Sequence, residues 1–191
     1  ASIYQIEPMG VVLPKTVDDI VSTLQIANQR HTSVTPRGAG TSQSGQSIGP
    51  GLVVDTSKHL NGFGEIDHHK KRIKVQPGIV LDHLNQFLKP HGLFFPVDVA
   101  TSSRATIGGM AANNSAGSRS IKYGMMVDNV TSIQGLMADG TVVKFDMDTP
   151  TQGVELKIAQ TLAALRRRER AELEKRIPKV MRRVAGYNLD R

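Results

Sequence analysis

The chain has no cysteine among its 191 residues. That excludes disulfides, cysteine-bound iron–sulfur clusters and thiol catalysis within it. Tryptophan is absent too, and aromatic residues make up only 4% of the chain. With so few stacking platforms and no nucleic-acid motif, nucleic acid is not an expected partner. No apolar run approaches the roughly 20 residues that span a bilayer, so no transmembrane segment is expected. The opening Ala1-Ser-Ile-Tyr4 does not read as a secretory leader. These absences suit a cytoplasmic protein, free or peripheral to the inner face of the membrane. No metal-ligand pattern is present either. His68 and His69 sit beside Lys70, Lys71 and Arg72, whose charge repels a cation. His31, His59, His83 and His91 lie apart, without carboxylates at ligand spacing. There is no nucleophile elbow and no compact catalytic triad. Asp18 and Asp19 read as a helix start, Asp146 and Asp148 as loop residues.

What is present is an ordinary soluble composition, 39% hydrophobic, over a length that allows one or two domains. Its net charge of +7 is unevenly spread. Arg166, Arg167, Arg168, Arg170, Lys175, Arg176, Lys179, Arg182 and Arg183 crowd the last quarter. Pairs such as Glu172 with Arg176 predict one charged amphipathic helix from Glu155 to about Arg176, its basic run a solvated face.

Upstream the pattern alternates strand and helix, which predicts α/β architecture. Ile3-Tyr-Gln-Ile6 and Val11-Val-Leu13 read as short strands. Thr16 with Asp19 forms an N-cap signature for a helix from Val17 to about Arg30, apolar at Val17, Ile20, Val21, Leu24 and Ala27. Strands follow at Val34, at Leu52-Val-Val-Asp55 and at Ile73-Lys-Val75. Gln76-Pro-Gly78 turns the chain into a second helix carrying Leu81, Leu84, Phe87 and Leu88, closed by Pro90 and Gly92. The apolar stretches 130–138 and 141–145 flank Asp139-Gly140, a two-residue hairpin signal.

Two stretches resist any account in terms of core packing. In 105–124, Gly108, Gly109, Ala111, Ala112, Ala116 and Gly117 strip the backbone of bulk, while Thr106, Asn113, Asn114, Ser115 and Ser118 supply short polar groups. A backbone without side chains in the way can approach a flat or phosphorylated ligand closely. This predicts a loop and short helix pressed against a large cofactor. The second stretch, Pro36-Arg-Gly-Ala-Gly-Thr-Ser-Gln-Ser-Gly-Gln-Ser47, can form a nest of N–H groups that suits a pyrophosphate. It is not a dinucleotide fingerprint. Gln43 stands at the third glycine position, and 44–50 cannot open a regular helix.

Pro36-Arg-Gly-Ala-Gly-Thr-Ser42, Val75-Gln-Pro-Gly-Ile-Val-Leu-Asp82, His91-Gly-Leu-Phe-Phe-Pro96 and Ala105-Thr-Ile-Gly-Gly-Met-Ala-Ala-Asn-Asn114 are similar to the flavin domain of the FAD-linked oxidases. That is the vanillyl-alcohol oxidase and p-cresol methylhydroxylase superfamily. Ser115-Ala-Gly-Ser-Arg-Ser-Ile-Lys-Tyr-Gly124 and Met137-Ala-Asp-Gly140 resemble its glycolate oxidase large-subunit and D-lactate or D-2-hydroxyglutarate dehydrogenase branch. The resemblance implies an α+β fold of the p-cresol methylhydroxylase type, made of two α/β subdomains, 1–61 and 62–191, with FAD between them. It implies pyrophosphate contacts from Gly38, Ala39, Gly40, Thr41 and Ser42, with Gly45 and Gln46 nearby. It brings Pro77, Asp98, Thr101, Ser102, Thr106, Gly108, Gly109, Asn114, Ser115 and Gly117 to the flavin, ribityl or adenosine side.

The implied chemistry is oxidation of a 2-hydroxy acid to a 2-oxo acid by hydride transfer to flavin. A quinone, cytochrome or iron–sulfur module then takes the electrons. Some relatives tether the flavin to a His in the first loop. None stands beside Thr41, so non-covalent FAD is expected. In the resembling enzymes a substrate-binding cap follows the position of Arg191. The chain therefore reads as truncated before that cap, and inactive alone. No catalytic residue is assigned, although Arg104, Arg119 and Tyr123 are the nearest groups for a carboxylate clamp and a phenol. Two other readings compete: the flavin domain of a UDP-N-acetylenolpyruvoylglucosamine reductase, which the 118–124 segment opposes, and a flavin-free interaction module with a basic C-terminal helix.

Overall fold

Short apolar strands at the start of the chain build a three-stranded parallel sheet. The computed structural model describes residues 3–148, 152–180, 182–183 and 187–190. In it β1 (Gly10–Val12), β2 (Val34–Arg37) and β3 (Leu52–Asp55) pair in the order β1-β3-β2, with both neighbours parallel to β3. Val53 and Val54 are both buried, as expected of a central strand covered on two faces. Between β1 and β2 runs α1 (Val17–Gln29), which starts at a capping box. Thr16 Oγ1 accepts from the Asp19 N–H, and the Asp19 carboxylate accepts from the Thr16 N–H. Arg37 opposes Asp55 at the end of the β2–β3 register, so the chain leaves the sheet there and enters the 38–47 loop.

The antiparallel hairpin β4 (Phe63–Asp67) and β5 (Arg72–Val75) follows, and then α2 (Leu81–Leu88). Three short helices come next: α3 (Ile107–Ala112), α4 (Ser120–Tyr123) and α5 (Met126–Asn129). A second antiparallel pair, β6 (Ser132–Leu136) and β7 (Val142–Asp146), precedes α6 (Gly153–Arg168) and α7 (Arg170–Arg176). The main core gathers Ile79, Leu81, Leu84, Leu88, Val97, Ala105, Ile107, Met110 and Met126, all buried. Each large apolar side chain among them contributes roughly 1.5–3 kcal/mol by leaving water.

This core fixes the segments that matter for the site. The first amides of α2 lack a side-chain cap and donate instead to carbonyls of the loop ahead of α3, Leu81 to Ala105 at 3.0 Å and Asp82 to Ser102 at 3.2 Å. The first amides of α3 donate back in the same way, Ile107 to Ile79 at 2.9 Å and Gly108 to Pro77 at 2.8 Å. Each helix start is thus closed by the other's leader.

The structure corrects four readings of local structure. Residues 3–6 form no strand, because their N–H and C=O groups find no neighbouring strand in the sheet. The strand β4 carries Gly64 and Glu65 in its middle, which masks it in the sequence. The turn at Asp139-Gly140 is one residue longer than a two-residue hairpin. The Gly140 N–H donates to Met137 and the Met137 N–H to Thr141, with Gly140 at φ +86°, the pattern of a type I turn followed by a left-handed residue. The charged helix breaks at Glu169, whose ψ of 10° leaves helical geometry between α6 and α7.

Candidate functional site

Where the 38–47 loop faces the 99–115 segment, an open cleft of about 350 Å³ lies between them. Gly38, Ala39, Gly40, Thr41, Ser42 and Gln46 line one side; Thr101, Thr106, Gly109 and Ser115 line the other. These ten were all expected from the sequence. Pro36, Ser47, Val99, Ala105, Met110, Ala112 and Asn113 complete the lining; Ala112 and Asn113 stood out as small or polar, but none of the seven was placed among the expected cofactor contacts. All but Val99 belong to the two small-residue stretches, so a reading by whole motif rather than by residue would have included them. No lining residue is charged.

The loop wall is built of backbone. Among the described residues, none accepts a hydrogen bond from the N–H groups of positions 39 to 47. Gly40 at φ +65° and Gly45 at φ +81° hold conformations that L side chains rarely adopt. Ser42 Oγ and Gln46 Oε1, 2.6 Å apart, bridge the loop across its mouth. Gly38 lets the two walls meet, because a Cβ there would stand 2.1 Å from Thr106 Oγ1. Thr106 is itself buried and its Oγ1 accepts from the Gly109 N–H at 3.4 Å. A run of unpartnered amides without bulk or negative charge fits a diphosphate.

The remaining seven expected residues lie off this cleft and have partners of their own. Gly108 packs on the Pro77 ring, where a Cβ would come within 2.5 Å. Ser102 uses its carbonyl at the start of α2. Gly45 presents its free face to the Tyr4 ring, at 3.0 Å from an added Cβ. Asn114, at φ +46°, accepts from the Val127 N–H and donates to the Arg183 carbonyl. Gly117 is buried against Asp98, where a Cβ would stand 2.1 Å from the Asp98 carbonyl oxygen. The Asp98 carboxylate accepts from Ser118 Oγ at 2.6 Å and from the Arg119 N–H at 2.8 Å. Burial opposes its ionisation, but these hydrogen bonds and the Arg119 charge outweigh that and hold the carboxyl below the ordinary range.

Arg104, Arg119 and Tyr123 do not line the cleft. Arg119 lies 3.8 Å from the Asp98 carboxylate and 5.7 Å from the centre of the Phe94 ring, which also meets Tyr123 edge-on. Among the described residues no group of three or more His, Asp or Glu side chains could hold a metal. No helix among them is long and apolar enough to cross a membrane.

Residues 8–146 match a family model described as an FAD binding domain. The chain is 37% identical to D-2-hydroxyglutarate dehydrogenase of Haemophilus influenzae, over 98% of its own length but 20% of that protein. It is 33% identical to glycolate oxidase subunit GlcD of Bacillus subtilis, covering 74% of this chain and 30% of the relative. A mitochondrial D-lactate dehydrogenase [cytochrome] of Kluyveromyces lactis is 35% identical over 72% of this chain, which covers 24% of that relative. Among solved structures, 6-hydroxy-D-nicotine oxidase from Arthrobacter nicotinovorans superposes with a TM-score of 0.66 at 20% identity, covering 73% of this chain and 30% of that one. The chain spans 20% or less of the length of the D-2-hydroxyglutarate dehydrogenases it matches here, 14% in Pseudomonas putida.

Proposed function

The chain belongs to the FAD binding domain family of the FAD-linked oxidases, and from that premise we propose that it is the cofactor-holding part of an enzyme that oxidises a 2-hydroxy acid. FAD is its cofactor. The observation that carries the reading is the 39–47 loop, whose amides have no partner among the described residues and face a cleft without a negative side chain. In this proposal Gly38, Ala39, Gly40, Thr41 and Ser42 hold the diphosphate, with Gln46 closing the loop over it. Thr101, Thr106, Gly109 and Ser115 form the wall against which the rest of the cofactor lies. Pro77, Asp98, Ser102, Gly108, Asn114 and Gly117 keep that wall in place, and Gly45 shapes the loop. The cleft then marks the boundary between a smaller unit, 1–61, and a larger one, 62–191.

When bound, FAD would supply a two-electron acceptor for the hydride of the substrate's α carbon. The residues of this chain bind and orient that acceptor. The class of substrate follows from the relatives, whose names are those of 2-hydroxyglutarate, lactate and glycolate enzymes. A quinone, cytochrome or iron–sulfur module would accept the electrons. Turnover also needs a cation for the substrate carboxylate and a base for its hydroxyl proton. The cleft wall offers neither, so the 191-residue chain is expected to bind FAD without oxidising these acids.

The test is direct. The purified chain, reconstituted with FAD, should show a flavin spectrum, and heat or acid should release intact FAD, confirming a non-covalent site. Release of FMN only, or no binding during reconstitution, would overturn the reading. Rapid anaerobic bleaching of the loaded chain by D-lactate, glycolate or D-2-hydroxyglutarate would show that catalytic groups are present after all.

A further inference from the structure

Behind the glycine loop lies a second, smaller cavity of about 230 Å³, with Ile6, Pro8, Val11, Ile48 and Val53 on its apolar walls. Arg37 and Asp55 are its charged residues. Arg37 is the only cation lining either cavity, and it lines the smaller one and not the cleft. Its guanidinium lies flat against Gly40. A Cβ on Gly40 would stand 2.5 Å from Nη2, 2.8 Å from Cζ and 3.0 Å from Nε. The same group reaches the far end of the loop, where Nη1 donates to the Ser47 carbonyl at 3.4 Å. Its main-chain carbonyl is fixed to the sheet by the Thr56 N–H at 3.0 Å and by Thr56 Oγ1 at 3.3 Å. One residue therefore anchors at the sheet and contacts the loop at positions 40 and 47.

We propose that Arg37 is a positioning residue that props the 38–47 loop from behind and sets a positive charge there, so that the cleft selects flavin ligands carrying a diphosphate over those without one. The inference rests on the reading of this loop as the diphosphate cradle. Backbone amides favour an anion over a neutral ligand, and the positive charge of the half-buried Arg37 guanidinium close to them adds to that preference. The planar, delocalised guanidinium also explains why the loop tolerates a cation so close. It packs face-on against a glycine, where an ammonium would need hydration.

The experiment compares FAD, ADP and riboflavin binding to the chain and to its Arg37→Met and Arg37→Lys variants by calorimetry, with thermal unfolding as a check on the fold. In the unaltered chain FAD and ADP should bind and riboflavin should bind more weakly. Arg37→Met should weaken FAD and ADP by at least about tenfold and leave riboflavin unchanged; Arg37→Lys should recover part of the loss. Equal loss for all three ligands in a folded variant would make Arg37 merely structural and overturn the proposal. So would an unchanged preference for FAD over riboflavin. If Arg37→Met does not fold, Arg37→Lys decides alone: an FAD-to-riboflavin ratio equal to that of the unaltered chain overturns the proposal, and a reduced ratio supports it. If instead the unaltered chain binds neither ADP nor FAD more tightly than riboflavin, the cradle reading itself has failed.

Discussion

The two glycine-rich stretches look alike as sequence and behave differently as structure. In 38–47 the small residues leave the amides of 39–47 without partners among the described residues, two of the glycines have positive φ, and the backbone is the surface of a cleft. In 105–117 the small residues mostly let protein approach protein. Gly108 meets Pro77, Gly117 meets Asp98, and the first amides of α3 are bonded to the leader of α2. Only part of this second stretch, including Thr106, Gly109, Asn113 and Ser115, faces the cleft. Absence of bulk therefore marks close approach without saying to what. Cofactor and neighbouring loop demand the same residues.

That contrast can be broken by mutation, and the largest effect is expected where protein meets protein. Gly117→Ala places a Cβ 2.1 Å from the Asp98 carbonyl oxygen, a backbone atom that cannot move aside cheaply. It should lose about 3 kcal/mol or more of stability in urea unfolding. A loss below about 1 kcal/mol would show that the 98–117 junction is loose. In the loop, Gly40→Ala should cost less in stability, about 1–2 kcal/mol, for the left-handed conformation. It should cost more in function, because the new methyl displaces the Arg37 guanidinium. FAD affinity measured by titration should fall far more than the unfolding midpoint.

Asp98→Asn sharpens the comparison through pH. The folded carboxyl titrates below its ordinary value, so its contribution is present above the unfolded pKa and lost as pH falls through the lowered one. The loss is expected to be about 1–2 kcal/mol at neutral pH, from hydrogen bonds that the carboxylate makes with Ser118 and Arg119. The gap between variant and unaltered chain should close as the solution is acidified into that range. A gap that stays constant there would assign Asp98 a purely steric role.

Much of this was legible in advance, for reasons that differ by element. The capping box at Thr16 and Asp19 and the apolar spacing of α1 and α2 are local signals, and local signals survive without the fold. The wall residues of the loop were legible because Gly and small hydroxyl residues in succession have few other uses. The division of labour in 105–117 was not, since it depends on Pro77 and Asp98 arriving from elsewhere in the chain. Arg37 was visible in its motif but carried no assignable role. Its meaning comes from lying under Gly40 and reaching Ser47, contacts that no spacing rule encodes.

Adjacent glycines in α3 give the finest test. Gly108 and Gly109 differ by one helical position, which turns their Cβ directions about 100° apart around the axis. A methyl on Gly108 would meet the Pro77 ring at 2.5 Å and the Pro77 carbonyl oxygen at 2.9 Å, whereas one on Gly109 would meet only Thr106 Oγ1, at 3.2 Å. Gly108→Ala should therefore destabilise the chain by about 1–3 kcal/mol through overpacking. Gly109→Ala should leave stability within about 0.5–1 kcal/mol of the unaltered chain, with helix propensity favouring the alanine. Binding should separate the two the other way. Gly109 faces the cleft and Gly108 does not. The added methyl at 109 should weaken FAD at least about tenfold in a fully folded protein, because in the proposed site it stands where the cofactor lies close to backbone. Equal FAD affinity in Gly109→Ala and the unaltered chain, at equal stability, would move the cofactor off this wall and leave the 38–47 loop as its sole anchor.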